Sequence, residues 1–212
     1  MMNEFYHKFY SQYLDRQFEI LSFGEEGQPL IIFPPAKGRY WDAKDNGMIQ
    51  SLAPLLESKK LKIYCPDLLD QEIWFDNELT PKDKIQSYLR FEEAILKDVI
   101  EFAKYETGFD QVWLCGCELG AYYAANIAFK YQEHVSALFA LSGRFGIKDY
   151  LGDFYNEDVY FNSPKDYLSN CEDPWKYNHI QVTLCTGLND KSFDDNNDFN
   201  WILNVKGIPH KF

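Results

Sequence analysis

A series of short, nearly continuous apolar runs most constrains what this chain can fold into. They are PLIIF at 29–33, LKIYC at 61–65, QVWLCGC at 111–117, VSALFAL at 135–141 and QVTLC at 181–185. Runs of this length that do not alternate suit strands buried on both faces, as in a parallel sheet. Helical patterns separate them. Residues 48–58 place Met48, Ile49, Leu52, Leu55 and Leu56 at helical spacing, and 81–105 is long, charged and periodic. Residues 119–131 carry the small side chains Gly120, Ala121, Ala124 and Ala125, which let a helix lie close to a sheet, and 198–205 is the last helical segment. Strands alternating with helices imply βαβ units. The chain is therefore expected to be one α/β domain spanning residues 1–212, with a mainly parallel sheet flanked by helices. Residues 18–23 alternate weakly, and GEEG at 24–27 reads as a hairpin turn.

Composition narrows the function. Apolar residues make up 46% and aromatics 17%, enough for one sizeable core in 212 residues. The formal net charge of -12 argues against nucleic-acid binding, which rests on Lys and Arg neutralising phosphates. It disfavours anionic membrane surfaces for the same reason. No run of ~18 apolar residues is present to span a bilayer, and the opening MMNEFYHKFYSQY lacks the apolar segment of a signal peptide. The 5 cysteines, an odd number, sit mostly in apolar runs and read as reduced, so the expected compartment is the cytoplasm. Cys115 and Cys117 form no C-x-x-C pair, and no second pair completes a metal site. No cofactor motif is found. DKSFDDNNDFN lacks the glycine and glutamate that a calcium loop needs at its sixth and twelfth places, so it reads as an acidic first turn and a short helix.

The chemistry-bearing segment is LCGCELGAYYAA, 114–125. It has the strand–turn–helix spacing of a G-x-S-x-G nucleophile elbow, with Gly116 and Gly120 in the glycine places and Glu118 where the serine would stand. A carboxylate can be a nucleophile in principle. Glutamate is one methylene longer than aspartate, however, and a displacement of about 1 Å can cost about 10²-fold in rate. Cys117 stands one place before the tip, and a neighbouring carboxylate disfavours its thiolate.

With this elbow, the segments EFYHKFYSQYLDR, FPPAKGRYWDAKDNGMI, ALSGRF, DVYFNSPKDYL, CEDPW and KGIPH follow in an order that resembles the esterases of the α/β-hydrolase fold over nearly the whole length. The resemblance implies a serine, an acid and a histidine in that chain order. Glu118 takes the serine's place, and Asp190 in TGLND takes the acid's. The histidine would follow KGIPH; His210 lies only in the approach to that segment, so the triad histidine is missing from 1–212 and the fold reads as shortened at its C-terminus. The implied oxyanion donors are the N–H of Leu119 and that of Ala36 or Lys37, because Pro35 has no N–H. His7, His134 and His179 read as structural or surface residues.

Two function classes follow. The first is an esterase-related pseudoenzyme without serine-hydrolase activity, kept as a binding or scaffold domain. The second is an active hydrolase of small esters with an atypical site. The altered nucleophile, histidine and oxyanion loop favour the first. In that reading Glu118 is a plug at the helix N-terminus, hydrogen-bonded by Leu119 or the 36–37 loop, with Lys37 or Arg39 as counter-ion. Tyr40, Trp41, Trp74, Phe75 and Tyr160 read mainly as packing, with some lining a cleft that takes a small-molecule ligand. Self-association into a homo-oligomer is compatible with the sequence.

Overall fold

The computed structural model describes residues 3–212. Eight strands form one sheet in the order β1-β2-β4-β3-β5-β6-β7-β8. They are β1 (Glu4–Ser11), β2 (Arg16–Phe23), β3 (Gln28–Phe33), β4 (Leu61–Pro66), β5 (Val112–Cys117), β6 (Val135–Leu141), β7 (Gln181–Cys185) and β8 (His210–Lys211). β1 runs antiparallel to β2 and β2 antiparallel to β4, and all other pairs are parallel.

The continuous apolar runs are buried on both faces because successive side chains point opposite ways. Ile31, Phe33, Tyr64 and Leu114 enter one core, while Leu30, Ile32, Ile63, Cys65 and Cys115 enter the other. The first core packs against 81–107 through Tyr88, Phe91, Ile95 and Val99, and against Leu119–Lys130. The second is closed by Ile49 and Leu56 from 42–57. The chain leaves β3 for β4 on one side and returns to β5 on the other. The strand order therefore reverses at β3, and a crevice opens at the carboxyl ends of β3 and β5.

Several local expectations change. GEEG is a turn but not a hairpin, because β4 lies between β2 and β3. Gly27, at φ 119°, crosses the chain entering β4, where a Cβ would stand 2.5 Å from Leu61 N. The true hairpin is β1–β2, paired without a break from Glu4↔Phe23 to Ser11↔Arg16. Helix 48–58 splits into Met48–Ser51 and Ala53–Glu57, since Pro54 has no N–H to continue the ladder. The long helix 81–107, capped by Thr80, contains a π-helical stretch, Ile95–Ile100. The last helix is Phe193–Lys206, starting before the expected Asp198. Its acidic first turn suits the positive helix end. Asn196 is fully buried there and exchanges hydrogen bonds with the backbone of Gly143, which extends the helix N-terminally from the expected start. Among the described residues, no helix is long and apolar enough to cross a membrane.

Candidate functional site

β5 ends at Cys117, Glu118 adopts φ 54° and ψ −112°, and the helix Leu119–Lys130 begins at once. Left-handed φ in a residue with a Cβ costs ~1–3 kcal/mol and persists only where its surroundings enforce it. Here they do. The Glu118 N–H donates to Leu141 O (3.0 Å), and its carbonyl accepts from the Arg144 N–H (3.1 Å). A Cβ on Gly116 would lie 2.1 Å from Gly120 O, and one on Gly120 would lie 2.3 Å from Pro34 O. The two glycines let the strand, the helix and the end of β3 meet backbone to backbone.

The Glu118 side chain is 22% exposed and accepts a hydrogen bond from Lys191 Nζ at 2.8 Å, with Arg144 Nε at 4.0 Å. The expected counter-ions are elsewhere. The Lys37 ammonium lies over the Phe75 ring, 4.6 Å from its centroid. Arg39 donates to Asp67 Oδ1 at 2.7 Å and covers Trp41. The reason is local: the loop after β3 is drawn toward carboxylates that follow β4. The Lys37 N–H, the expected oxyanion donor, donates instead to the fully buried Asp70, whose other oxygen accepts from the Gln71 N–H (3.1 Å). Burial pushes the Asp70 carboxyl above its ordinary value, against these backbone hydrogen bonds. Lys37 is itself left-handed at φ 62°, and Pro35 O accepts from the Gly38 N–H (2.9 Å).

Asp190 follows β7 and accepts from the Ser192 N–H at 2.8 Å. This bond first, with the nearby Ser142 hydroxyl, holds its pKa below the ordinary value, which leaves it a weak base. Ser142 follows β6 at φ 47°, with its N–H donating to Cys185 O at 2.7 Å. Cys117 is partly buried. Burial first, then Glu118 and Asp190, raise its thiol pKa, so the structure brings all three together and keeps the sulfur protonated. Leu119 is fully buried behind the tip.

The histidines have other partners. His7 bonds Ser22 Oγ (2.8 Å), His134 faces Lys104 Nζ (3.2 Å), and His179 bonds Gln132 O (2.8 Å). His210 uses both ring nitrogens, on Ile208 O and Asn200 Oδ1, and stands in register with Val182 early in β7.

Beside Glu118 a cleft of about 400 Å³ is lined by Arg144, Lys148, Lys165, Lys191 and Asp195, among others. It lies on the β6–β7 side, and Ala36, Lys37, Cys117 and Leu119 are not in its lining. Its cations are paired, Lys148 with Asp166 (3.0 Å) and Lys165 with Asp195 (2.5 Å). Tyr150 packs near the tip against Trp74 (5.7 Å) and Phe75 (5.4 Å). Tyr160 instead packs on Phe161 and lines a different cleft with Lys130 and Tyr167. Ser142, Arg144 and Lys191 were missed by sequence reasoning. The signal available for the first two was the Ser-Gly-Arg that follows the apolar run of β6; Lys191 had none. Among the described residues, no group of three His, Cys, Asp or Glu side chains is placed to hold a metal ion.

This strand order, with a strained strand-to-helix turn at the sheet's carboxyl edge, is the α/β-hydrolase fold. Solved esterases share it. The structure is similar to a ferulic acid esterase at 16% identity, covering 100% of this chain and 89% of that one, with a TM-score of 0.78. It is similar to the S-formylglutathione hydrolase of Staphylococcus aureus at 12% identity, 100% and 90% coverage, and a TM-score of 0.69. A ferulic acid esterase of Anaeromyces mucronatus, solved with ferulic acid, matches at 14% identity, 99% and 81% coverage, and a TM-score of 0.72. No family model and no curated protein matches the chain in sequence.

Proposed function

We propose that this chain is an esterase-like α/β-hydrolase domain that binds a small carboxylic acid or its ester beside Glu118 without serine-esterase turnover. The observation that carries this reading is the Glu118 carboxylate at the turn, held by Lys191 at 2.8 Å. A nucleophilic serine there would need a base within hydrogen-bond reach. The four histidines have the partners described above, and Asp190 accepts from the Ser192 N–H. Binding is supported by the cleft, where Arg144 and Lys191 remain accessible and can meet a carboxylate. The complex of the Anaeromyces mucronatus esterase with ferulic acid makes an aromatic carboxylic acid a reasonable first probe. The five free cysteines favour the cytoplasm as its compartment.

The test combines a fluorophosphonate probe, short-chain p-nitrophenyl esters, and titration of ferulic acid followed by calorimetry. Saturable binding with neither labelling nor turnover supports the reading. Stoichiometric labelling of Ser142 would instead establish an active hydrolase with an atypical site.

A further inference from the structure

β1 is an edge strand, paired on one side only. The Gly24 N–H donates to Asn3 O at 3.0 Å, which sets the phase of the ladder. In antiparallel pairing, hydrogen-bonded and non-hydrogen-bonded pairs alternate. Phe5, His7, Phe9 and Ser11 therefore turn their backbone groups to β2, and Glu4, Tyr6, Lys8 and Tyr10 turn theirs outward. Edges are normally blunted by proline, bulges, brevity or several charges. β1 has 8 residues, pairs with β2 without a bulge, and contains no proline. Its exposed rings are unusually many, with Phe5 at 43%, Tyr6 at 52% and Tyr10 at 57% exposure. A groove of about 640 Å³ runs beside them, lined by Tyr6, Lys8, Phe9, Lys97, Phe102 and Tyr105.

We propose that β1 joins two copies of this chain, the strands pairing antiparallel about a twofold axis at His7 so that two sheets become one. The strand's own sequence selects this partner and this register. A twofold axis normal to the sheet keeps each face on its own side, so only residues of the same parity can face each other. Centring on Lys8 would set two lysines opposite each other, which is unfavourable. Centring on Tyr6 leaves Tyr10 without a partner. Centring on His7 sets Glu4 against Tyr10, Phe5 against Phe9 and Tyr6 against Lys8. That register gives two aromatic pairs, two cation–ring contacts and about eight backbone hydrogen bonds. Charge supports self-pairing too. The chain carries -12 overall, yet in β1 the charges of Glu4 and Lys8 cancel, so two acidic molecules meet at a neutral strip.

Sedimentation velocity over low to high micromolar concentration tests this. The wild type should shift from monomer to dimer mass. Lys8→Pro removes an outward N–H and leaves the β1–β2 ladder intact, so it should stay monomeric with an unchanged circular dichroism spectrum. Phe5→Asp, a change at an exposed side chain, should weaken the dimer at least tenfold, and it serves if Lys8→Pro misfolds. The register is read by His7→Cys, which places two thiols opposite each other and should form a disulfide-linked dimer under mild oxidation, where the wild type and Ser11→Cys do not. A wild type that is monomeric throughout would overturn the proposal. So would dimers unaffected by both variants, or a His7→Cys chain that fails to cross-link.

Discussion

The carboxylate of Glu118 and the ammonium of Lys191 are 2.8 Å apart, joining the turn after β5 to the loop after β7. The pair sits at the strained turn between β5 and the helix Leu119–Lys130. Replacing the glutamate by serine removes the carboxylate but supplies no base, because the four histidines are hydrogen-bonded elsewhere. Glu118→Ser is expected to show no p-nitrophenyl ester hydrolysis above the uncatalysed rate. Clear turnover by the purified variant would contradict the proposed function.

The same position stores strain. Glu118→Gly should relieve ~1–3 kcal/mol of backbone cost. It forfeits an ion pair worth under ~1 kcal/mol, because Lys191 is 72% exposed. Glycine's greater unfolded freedom takes back a further ~0.5–1 kcal/mol. The net is about −1 to +2.5 kcal/mol, so the melting temperature is expected to stay within a few degrees of the wild type or to rise. A fall of more than about 4 °C on calorimetry would show that φ 54° is not strained here.

Gly120 cannot be enlarged. A Cβ there meets the carbonyl oxygens of Pro34 and Phe33 at 2.3 and 2.4 Å, both of them backbone. Gly120→Ala should destabilise by more than ~3 kcal/mol, read from the urea midpoint at constant m-value. An Ala variant within ~1 kcal/mol of the wild type would mean that strand and helix do not approach as described.

Behind the helix Leu119–Lys130, the buried Glu92 accepts from Lys130 (2.6 Å), Tyr131 (3.0 Å) and Asn126 (2.9 Å). Lys130→Met strands that charge and should cost ~3–5 kcal/mol. Adding Glu92→Leu should recover most of the loss, a coupling that a double-mutant cycle measures. Additive losses would show that the pair is not coupled.

Asp70 gives a pH signature. Burial raises its folded pKa above the ordinary 3.8, so its charged form is disfavoured in the fold. The favourable contribution is complete below pH 3.8 and is lost as pH rises through the folded value. Asp70→Asn stays neutral, although it loses one acceptor for the Lys37 and Gln71 N–H groups. Urea midpoints should therefore shift in favour of the variant as pH rises from about 4 to 7. A difference independent of pH would refute the burial account.

The strands β3 to β7 were legible in the sequence because a run buried on both faces must be apolar throughout, whatever surrounds it. The turn at Glu118 was legible because its two glycines answer a backbone clash only a few residues away. β1 was not, since an edge strand with rings on both faces carries no clean alternation. Nor was β4's place between β2 and β3, because neighbours in a sheet are chosen by pairing and not by chain order. The start of the last helix depended on Asn196 reaching Gly143, across 53 residues. The site divided in the same way. Sequence alone placed a carboxylate at the elbow and an acid after β7. Only tertiary structure gave Glu118 to Lys191 rather than to Lys37 or Arg39. Ion pairs and hydrogen bonds act over a few ångströms, and which residues come that close is decided by how the strand ends converge, 73 residues apart in the case of Glu118 and Lys191.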